Sequence, residues 1–389
     1  MQLNSLTSLR FVAALMVVLS HLEFLDENKI GPISWLAQNV FREGYVGVTF
    51  FFVLSGFILS HSYANKMRAG RGGTQQFVHA RIARIFPIHL LTAFIALPLS
   101  LIWRQESGST LVGSLGVNLA LMQAWVPRST WYFSFNTPAW SLSVELFFYL
   151  AFPLLITLRS RTLLWTATAL LCLKAGISID ANSQNKFFLY IFPPLRLADF
   201  IAGILLHRLF SSVGPVSNRT ATAAQVSSLG VLAIAAVLSP SISQGSRFDL
   251  YYLAPMGFVI LAFAWQNGMA SRIVSSKALV LLGEASFSLY MIHRIVIMYG
   301  QKIFETSGGG VDVIRAAAYV LGSILLSIAM FKLFELPAKK WMLQFLSANF
   351  LERTQGNAGL GAGRHATEEF QVIRHPMAAE QTPSHAVHS

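Results

Sequence analysis

Two ionisable residues in the first apolar segment have a spacing that could support chemistry inside a membrane. Arg10 and His21 lie eleven positions apart, and eleven residues of α-helix rise about 16 Å. With Arg10 at a headgroup boundary, His21 would lie near the middle of a bilayer, where a neutral imidazole can act as a general base. An alternative stays open, in which His21 only bonds to a neighbouring helix and Arg10 only marks a cytoplasmic helix end.

A second basic pair, Arg81 and Arg84, occurs in the segment RIARIFP. Residues three apart share one face of a helix, and guanidinium groups grip phosphate oxygens in bidentate fashion. Together with Arg10 they could form one anion-binding site. The same residues could instead do no more than set the orientation of the chain in the membrane.

The segment TPAWSLSVELFFY, residues 137–149, places a single carboxylate, Glu145, in an apolar helix. A carboxylate in that position must pair or take up a proton. Opposite His21 it would orient the imidazole ring and stabilise its charged form. Trp140 fits either an anchor at the outer membrane interface or a stacking platform for a sugar ring.

Other charged residues within the apolar runs favour structural roles. Arg196 and Asp199 are three positions apart, and we expect them to pair with each other. His293 and Glu335 are interpreted as members of structural ion pairs or as side chains that snorkel toward the interface. The small residues of FVLSG, 52–56, are expected to let two helices approach closely.

The composition places all of these residues in a membrane protein. Of the 389 residues, 54% are hydrophobic and only 12% are charged, against about 25% charged in an ordinary soluble domain. The mean hydropathy is +0.55. A soluble enzyme and a disordered protein are therefore excluded. The formal net charge of +12 comes from basic clusters between apolar runs, so we expect a lipid bilayer and no nucleic acid as partner.

Most of the apolar runs reach the roughly 20 residues that cross a hydrocarbon core of about 30 Å. They must be helices, because backbone in lipid has to satisfy its own hydrogen bonds. The runs are 8–25, 45–63, 83–103, 111–126, 138–158, 162–178, 188–208, 223–239, 250–267, 279–300 and 313–336.

Basic clusters orient these runs, and the loop 64–84 is assigned to the cytoplasm. Alternating crossings counted from both ends leave 111–126 on the outer side as a short re-entrant or interfacial helix. The sequence thus predicts an all-α bundle of about ten transmembrane helices in the inner membrane, with both termini in the cytoplasm. We expect a membrane-embedded domain over 1–345 and a disordered cytoplasmic tail over 346–389.

Six segments, taken in order, resemble the acyltransferase 3 family of integral membrane acyltransferases over about residues 4–345. Each segment alone is a weak motif, whereas the ordered set is specific. The segments are SLRFVAALMVVLSH, GVTFFFVLSGFILS, RIARIFP, PAWSLSVELFFY, RLADFIAGILL and SFSLYMIH.

The resemblance implies transfer of an acyl group, usually acetyl, from cytoplasmic acyl-CoA to a sugar hydroxyl. The expected acceptor is an extracytoplasmic or lipid-linked glycan, as in O-antigen, exopolysaccharide or nodulation-factor modification. Acyl-CoA would be a co-substrate, and neither a bound cofactor nor a metal is expected.

The resemblance also implies roles for individual residues. His21 would be the catalytic histidine, and Arg10, Arg81 and Arg84 would be the essential arginines that we expect at the acyl-CoA site. Trp140 and Glu145 match the family's tryptophan and its first glutamate, which we expect to serve in acceptor binding and in catalysis. Leu146 follows Glu145 where relatives often carry a second acid, so a role that needs two adjacent carboxylates is in question.

Two mechanisms and three classes of function stay open at this point. His21 could remove a proton from the acceptor hydroxyl as that hydroxyl attacks the thioester, or it could form an acyl-histidine intermediate. A proton-coupled transporter would also use a histidine and a glutamate inside the membrane, although no inverted repeat is evident. A sensor or scaffold would leave His21 and Glu145 without a purpose.

Overall fold

The computed structural model describes residues 3–68, 73–104, 108–179, 186–303 and 310–358. In these ranges the chain is helical and contains no β-strand, which confirms the all-α membrane bundle. The α-helices are α1 (Asn4–Ser20), α2 (Gly31–Leu36), α3 (Gly47–Arg68), α4 (Gly73–Arg104), α5 (Gly108–Leu119), α6 (Ser129–Tyr132), α7 (Trp140–Leu155), α8 (Ser160–Ile179), α9 (Pro193–Val213), α10 (Asn218–Leu238), α11 (Gln244–Arg247), α12 (Leu250–Ala264), α13 (Met269–Val274), α14 (Lys277–Glu284), α15 (Ser286–Ile303), α16 (Gly310–Met330) and α17 (Leu336–Ala358).

Short segments of tighter or wider helix connect several of these α-helices. Three have a π-helical pattern of hydrogen bonds and five have a 3₁₀ pattern within the described ranges. The former are Ala37–Phe41, Phe187–Ile191 and Phe331–Glu335; the latter are Glu23–Leu25, Arg42–Val46, Gln123–Trp125, Thr137–Ala139 and Ser239–Ser241.

Eight helical segments of the described chain are long and apolar enough to cross a membrane. A ninth results when α14 and α15, which are bent by 63° at their junction, are taken as one span. The tenth predicted crossing is α1, whose 17 residues rise only about 26 Å and so fall short of a core of about 30 Å. The run 111–126 begins within the 12-residue α5, which ends at Leu119 and is too short to cross, as predicted.

Large apolar side chains point outward from the predicted spans. Trp165 on α8, Val237 on α10 and Leu325 on α16 are 73%, 77% and 69% exposed. Exposure of such side chains to water is unfavourable in free energy, whereas contact with lipid tails is not. The outer surface of the bundle therefore fits a multi-pass membrane protein.

Helices α3 and α9 form the most extensive helix–helix interface, and two glycines make it possible. A Cβ atom on Gly56 would lie 2.1 Å from the carbonyl oxygen of Phe200, and one on Gly203 would lie 1.9 Å from that of Val53. Only glycine fits at both positions, because each contact is with backbone that cannot rotate away. The close approach predicted for 52–56 is confirmed.

A buried cluster of charges ties α8, α9 and the start of α12 together. Arg196 Nε lies 3.0 Å from Asp199 Oδ2, so the predicted pair is confirmed. Arg196 Nη1 also lies 3.0 Å from Asp249 Oδ1, and Lys174 bridges both aspartates. The two positive and two negative side chains balance, which is the condition under which buried charges are tolerated. No pattern in the sequence indicated that Lys174 and Asp249 would join the pair.

The last described helix, α17, continues to Ala358 and so covers the first residues of the segment predicted as a tail. The rest of that segment, 359–389, lies outside the described residues. Disorder there, like the cytoplasmic location of both termini, stays a prediction.

Candidate active site

The three arginines singled out in the sequence line one cavity of about 150 Å³. Arg10 comes from α1, whereas Arg81 and Arg84 come from α4, where their spacing of three residues turns both side chains the same way. Glu145 and Tyr149 of α7 line the same space. We call this space the arginine cavity.

The Arg81 side chain is held in place by hydroxyl and aromatic groups. Its Nη2 atom donates a hydrogen bond of 3.2 Å to the Tyr63 hydroxyl. Its guanidinium carbon lies 5.4 Å, 5.8 Å and 5.7 Å from the ring centroids of Tyr63, Phe77 and Tyr149. These distances fall within the range of cation–π attraction. The guanidinium is therefore oriented before any substrate binds.

The arginine cavity carries an excess of positive charge. Among the described residues, no ion pair within 4.0 Å involves Arg10, Arg81 or Arg84. Lys339 of α17 is close enough to interact electrostatically with all three arginines and with Glu335. Arginines without carboxylate partners at ion-pair distance favour a bound anion.

The carboxylates near the arginines have hydrogen bonds of their own. Glu145 accepts a hydrogen bond from the Tyr149 hydroxyl one helical turn away. Glu335 accepts a hydrogen bond of 2.6 Å from the Ser288 hydroxyl. Glu335 also interacts electrostatically with Arg84 and Arg10, so the structure places it near the candidate anion site instead of leaving it as an isolated structural residue. Tyr149 lines the arginine cavity and Glu335 lies near it, and the sequence alone indicates neither role.

His21 lines a second and larger cavity of about 950 Å³, which we call the histidine cavity. His21 directly follows Ser20, the last residue of α1. The Nδ1 atom of His21 lies 2.8 Å from the Val17 carbonyl oxygen. A carbonyl oxygen only accepts hydrogen bonds, so Nδ1 carries the proton in the neutral ring. The lone pair of the imidazole is then on Nε2, which is the form that a general base needs.

A second histidine lies beside the first. The ring centroids of His21 and His293 are 5.0 Å apart, with the ring planes at 65°. His293 of α15 is completely buried, and its Nδ1 atom lies 2.8 Å from the Tyr290 carbonyl oxygen. Sequence reasoning had interpreted His293 as a structural or snorkelling side chain. Its place within the SFSLYMIH motif was the one signal that could have drawn attention to it.

Trp140 lines the histidine cavity as part of an aromatic wall. Its ring centroid lies 4.8 Å from that of Tyr190 and 6.2 Å from that of Phe52. Only 4% of Trp140 is exposed, so this residue is not an anchor at the membrane surface. The interpretation that remains from the sequence is a platform for substrate. Phe133, Thr137 and Pro138 line the same cavity.

The two cavities are neighbours, since Val48 and Tyr290 line both of them. The predicted contact between Glu145 and His21 is not found, because the two side chains line different cavities. The reason lies in helix geometry. Trp140 and Glu145 are five positions apart, which corresponds to about 7.5 Å along α7, so only the earlier residue reaches the cavity of His21.

Comparison with known proteins identifies the family. A family model described as an acyltransferase domain, that of acyltransferase 3, matches residues 3–332. The chain belongs to the acyltransferase 3 family. The resemblance carried by the six sequence segments is thereby confirmed, and the chain is a multi-pass membrane acyltransferase.

Relatives of this acyltransferase carry related names. Acyltransferase MdmB of Streptomyces mycarofaciens is 31% identical over 359 residues, which cover 85% of this chain and 88% of the relative. O-acetyltransferase OatA of Staphylococcus aureus is 22% identical over 386 residues, covering 91% and 60%. Peptidoglycan O-acetyltransferase OatA of Listeria monocytogenes is 24% identical over 366 residues, covering 86% and 56%.

The chain therefore spans somewhat more than half the length of these OatA relatives. No solved structure matches this acyltransferase.

Proposed function

We propose that this acyltransferase moves an acyl group, acetyl in the first instance, from cytoplasmic acyl-CoA to a hydroxyl group of an extracytoplasmic or lipid-linked carbohydrate. The observation that carries the proposal is the pair of adjacent cavities, one rich in arginine and the other holding a histidine. Such an arrangement lets an anionic donor and a polar acceptor approach one another from two sides.

The arginine cavity is the proposed donor site. Coenzyme A carries several phosphate charges, and Arg10, Arg81 and Arg84 have no carboxylate partner within ion-pair distance among the described residues. Phosphate bound at Arg10 would lie roughly 16 Å from His21 along the helix axis, which is the rise over the eleven positions that separate them. The pantetheine arm would extend from the arginines past the boundary residues Val48 and Tyr290 and bring the thioester to the imidazole.

The histidine cavity is the proposed acceptor site. Its volume of about 950 Å³ lies within the range of small-molecule binding sites, and it combines aromatic rings with charged and polar side chains. Trp140 is part of the aromatic wall of this cavity, and its indole ring would contact a sugar ring bound there. The names of the O-acetyltransferase relatives support a hydroxyl acceptor, and that of the Listeria relative supports a glycan.

In the proposed reaction, Nε2 of His21 removes the proton from the acceptor hydroxyl as its oxygen attacks the thioester carbon. The new C–O bond forms, the C–S bond breaks, and the sulfur leaves with the electron pair. The proton then passes to the thiolate, which yields the ester and free coenzyme A. An acyl-histidine intermediate at Nε2 is the alternative route, and the Nδ1–H tautomer suits both. Glu145 acts on the donor side through Tyr149 and the arginines.

The first test uses purified protein in detergent with radiolabelled acetyl-CoA, and it compares the wild type with His21→Ala. We expect slow release of acetate, or label bound to the protein, that is lost at least about 100-fold in the variant, since general base catalysis contributes that much or more. Bound label would favour the acyl-histidine route. The melting temperature with and without acetyl-CoA shows whether the variant is folded and still binds donor.

His89→Gln is the matched control for loss of a buried histidine. His89 of α4 is buried, lines neither cavity, and uses Nε2 to donate to the Asn118 carbonyl oxygen at 2.9 Å, a bond that glutamine can replace. The control should behave as the wild type does. Near-normal turnover by His21→Ala would refute the mechanism. A wild type that neither binds nor turns over acetyl-CoA would point to another donor or to the transporter.

A further inference from the structure

The buried His293 has an unusual hydrogen-bonding state. Its Nδ1 proton is donated to the Tyr290 carbonyl oxygen, which leaves the lone pair on Nε2. That nitrogen is buried and has no hydrogen-bond partner among the described residues. A buried acceptor without a partner costs about 1–3 kcal/mol, and the great majority of buried polar atoms are satisfied. A histidine retained only for packing would not need this vacant nitrogen.

The neighbouring ring of His21 can be a hydrogen-bond partner for Nε2 of His293 only after His21 has taken up a proton. His21 is in the same tautomer, with its own lone pair on Nε2 and its ring centroid 5.0 Å away. In the resting state both Nε2 nitrogens are acceptors, so neither can satisfy the other. Once His21 gains a proton on Nε2 it becomes a donor, and the adjacent His293 ring carries an unsatisfied Nε2 acceptor for that proton.

We infer that His21 and His293 form a two-histidine proton relay. His293 receives or shares the proton that His21 takes from the acceptor hydroxyl. The relay rests on the proposed function. The proton leaves the hydroxyl oxygen as the C–O bond forms, resides between the two Nε2 atoms while the C–S bond breaks, and then passes to the departing thiolate. No oxidant, metal or further reactant is needed.

The relay also accounts for how His21 is stabilised without Glu145. An imidazolium that forms away from bulk water needs a partner that shares its charge. The sequence assigned that task to Glu145, which the structure places in the arginine cavity. Arg294 interacts electrostatically with both rings, and Glu23 interacts with Arg294. No carboxylate lies within 4.0 Å of either ring among the described residues.

Two substitutions separate the vacant nitrogen from the rest of the His293 side chain. His293→Asn keeps a donor at the position of Nδ1 for the Tyr290 carbonyl oxygen but has no counterpart of Nε2. His293→Phe keeps an aromatic ring against His21 but has no nitrogen. If the relay holds, both variants lose kcat by about 100-fold, whereas the KM for acetyl-CoA and the melting temperature shift caused by acetyl-CoA stay at the wild-type values.

The assay follows label from acetyl-CoA into the carbohydrate fraction of membranes from the source organism, which contain the natural acceptors. The membranes come from cells in which the chromosomal copy is replaced by the wild type, His293→Asn, His293→Phe or the His89→Gln control. Normal kcat in either His293 variant overturns the relay, as does a raised KM for acetyl-CoA with unchanged kcat. No transfer by the wild type overturns the proposed function and the relay together.

Discussion

At the scale of single residues, Arg81 shows how an anion site can be prepared in advance. A hydroxyl group and three aromatic rings surround its guanidinium, and none of them neutralises the charge. The cost of ordering a long side chain is met during folding. A phosphate that binds there therefore gains charge-assisted hydrogen bonds without immobilising the arginine.

Arg81→Ala is expected to raise the KM for acetyl-CoA by about tenfold to a hundredfold. The reason is the loss of a hydrogen bond between charged groups, worth about 1.5–3 kcal/mol. Steady-state kinetics at varied acetyl-CoA concentration would measure the change. Arg161→Ala removes the same charge from an exposed position on α8 and should leave the KM unaltered. An unchanged KM in Arg81→Ala would remove this residue from the donor site.

At the scale of helices, the α3–α9 contact sets the frame for the histidine cavity. Its two glycines bring the helix backbones together, and the same helices carry Val48, Phe52 and Arg196. Arg196 lies over the Phe52 ring at 4.8 Å and over the Tyr190 ring at 5.5 Å. Those two rings in turn pack against Trp140. A change in the separation of α3 and α9 would therefore displace the aromatic rings that line the cavity.

Gly203→Ala should destabilise the protein by about 2–3 kcal/mol or more, because the added methyl group collides with the Val53 carbonyl oxygen and backbone must move. The melting temperature in detergent would report the loss. Gly230→Ala on α10 makes the same chemical change where a Cβ meets nothing within 4 Å, so its stability should be equal to or slightly above that of the wild type. Equal melting temperatures for both variants would show that α3 and α9 separate at little cost.

At the scale of the whole molecule, the orientation in the membrane decides which cavity faces the cytoplasm. The basic clusters of the sequence place 126–138 outside and the connection between α9 and α10 inside. A cytoplasmic donor requires that the arginine cavity open to the same side as that connection. The orientation is therefore a prediction on which the direction of acyl transfer depends.

Single cysteines introduced into a Cys172→Ser background would test the orientation. Ser129 and Ser217 are both exposed, the first on the predicted outer side and the second in the predicted inner connection. A membrane-impermeant maleimide should label the Ser129→Cys variant in intact cells and the Ser217→Cys variant only after permeabilisation. The opposite labelling pattern would show that the protein has the reverse orientation in the membrane, which would contradict a cytoplasmic donor site.

The sequence by itself determined the properties that depend on local pattern. Hydropathy and length predicted a helical membrane bundle and the failure of 111–126 to cross. Helical spacing placed Arg81 with Arg84 and paired Arg196 with Asp199. The ordered motifs indicated the acyltransferase 3 family. The spans and the residue pairs follow from neighbours within a few turns of one helix, and the family follows from the order of short motifs along the chain, so neither needed the tertiary structure.

Only the tertiary structure decided which side chains of different helices meet. It placed Glu145 with Tyr149 near the arginines and not with His21, it brought His293 beside His21, and it joined Lys174 and Asp249 to the Arg196 pair. Such contacts depend on the depth and rotation of each helix within the bundle. These are fixed by packing, as at the glycines of α3 and α9, and residues distant in the chain supply the atoms that fix them.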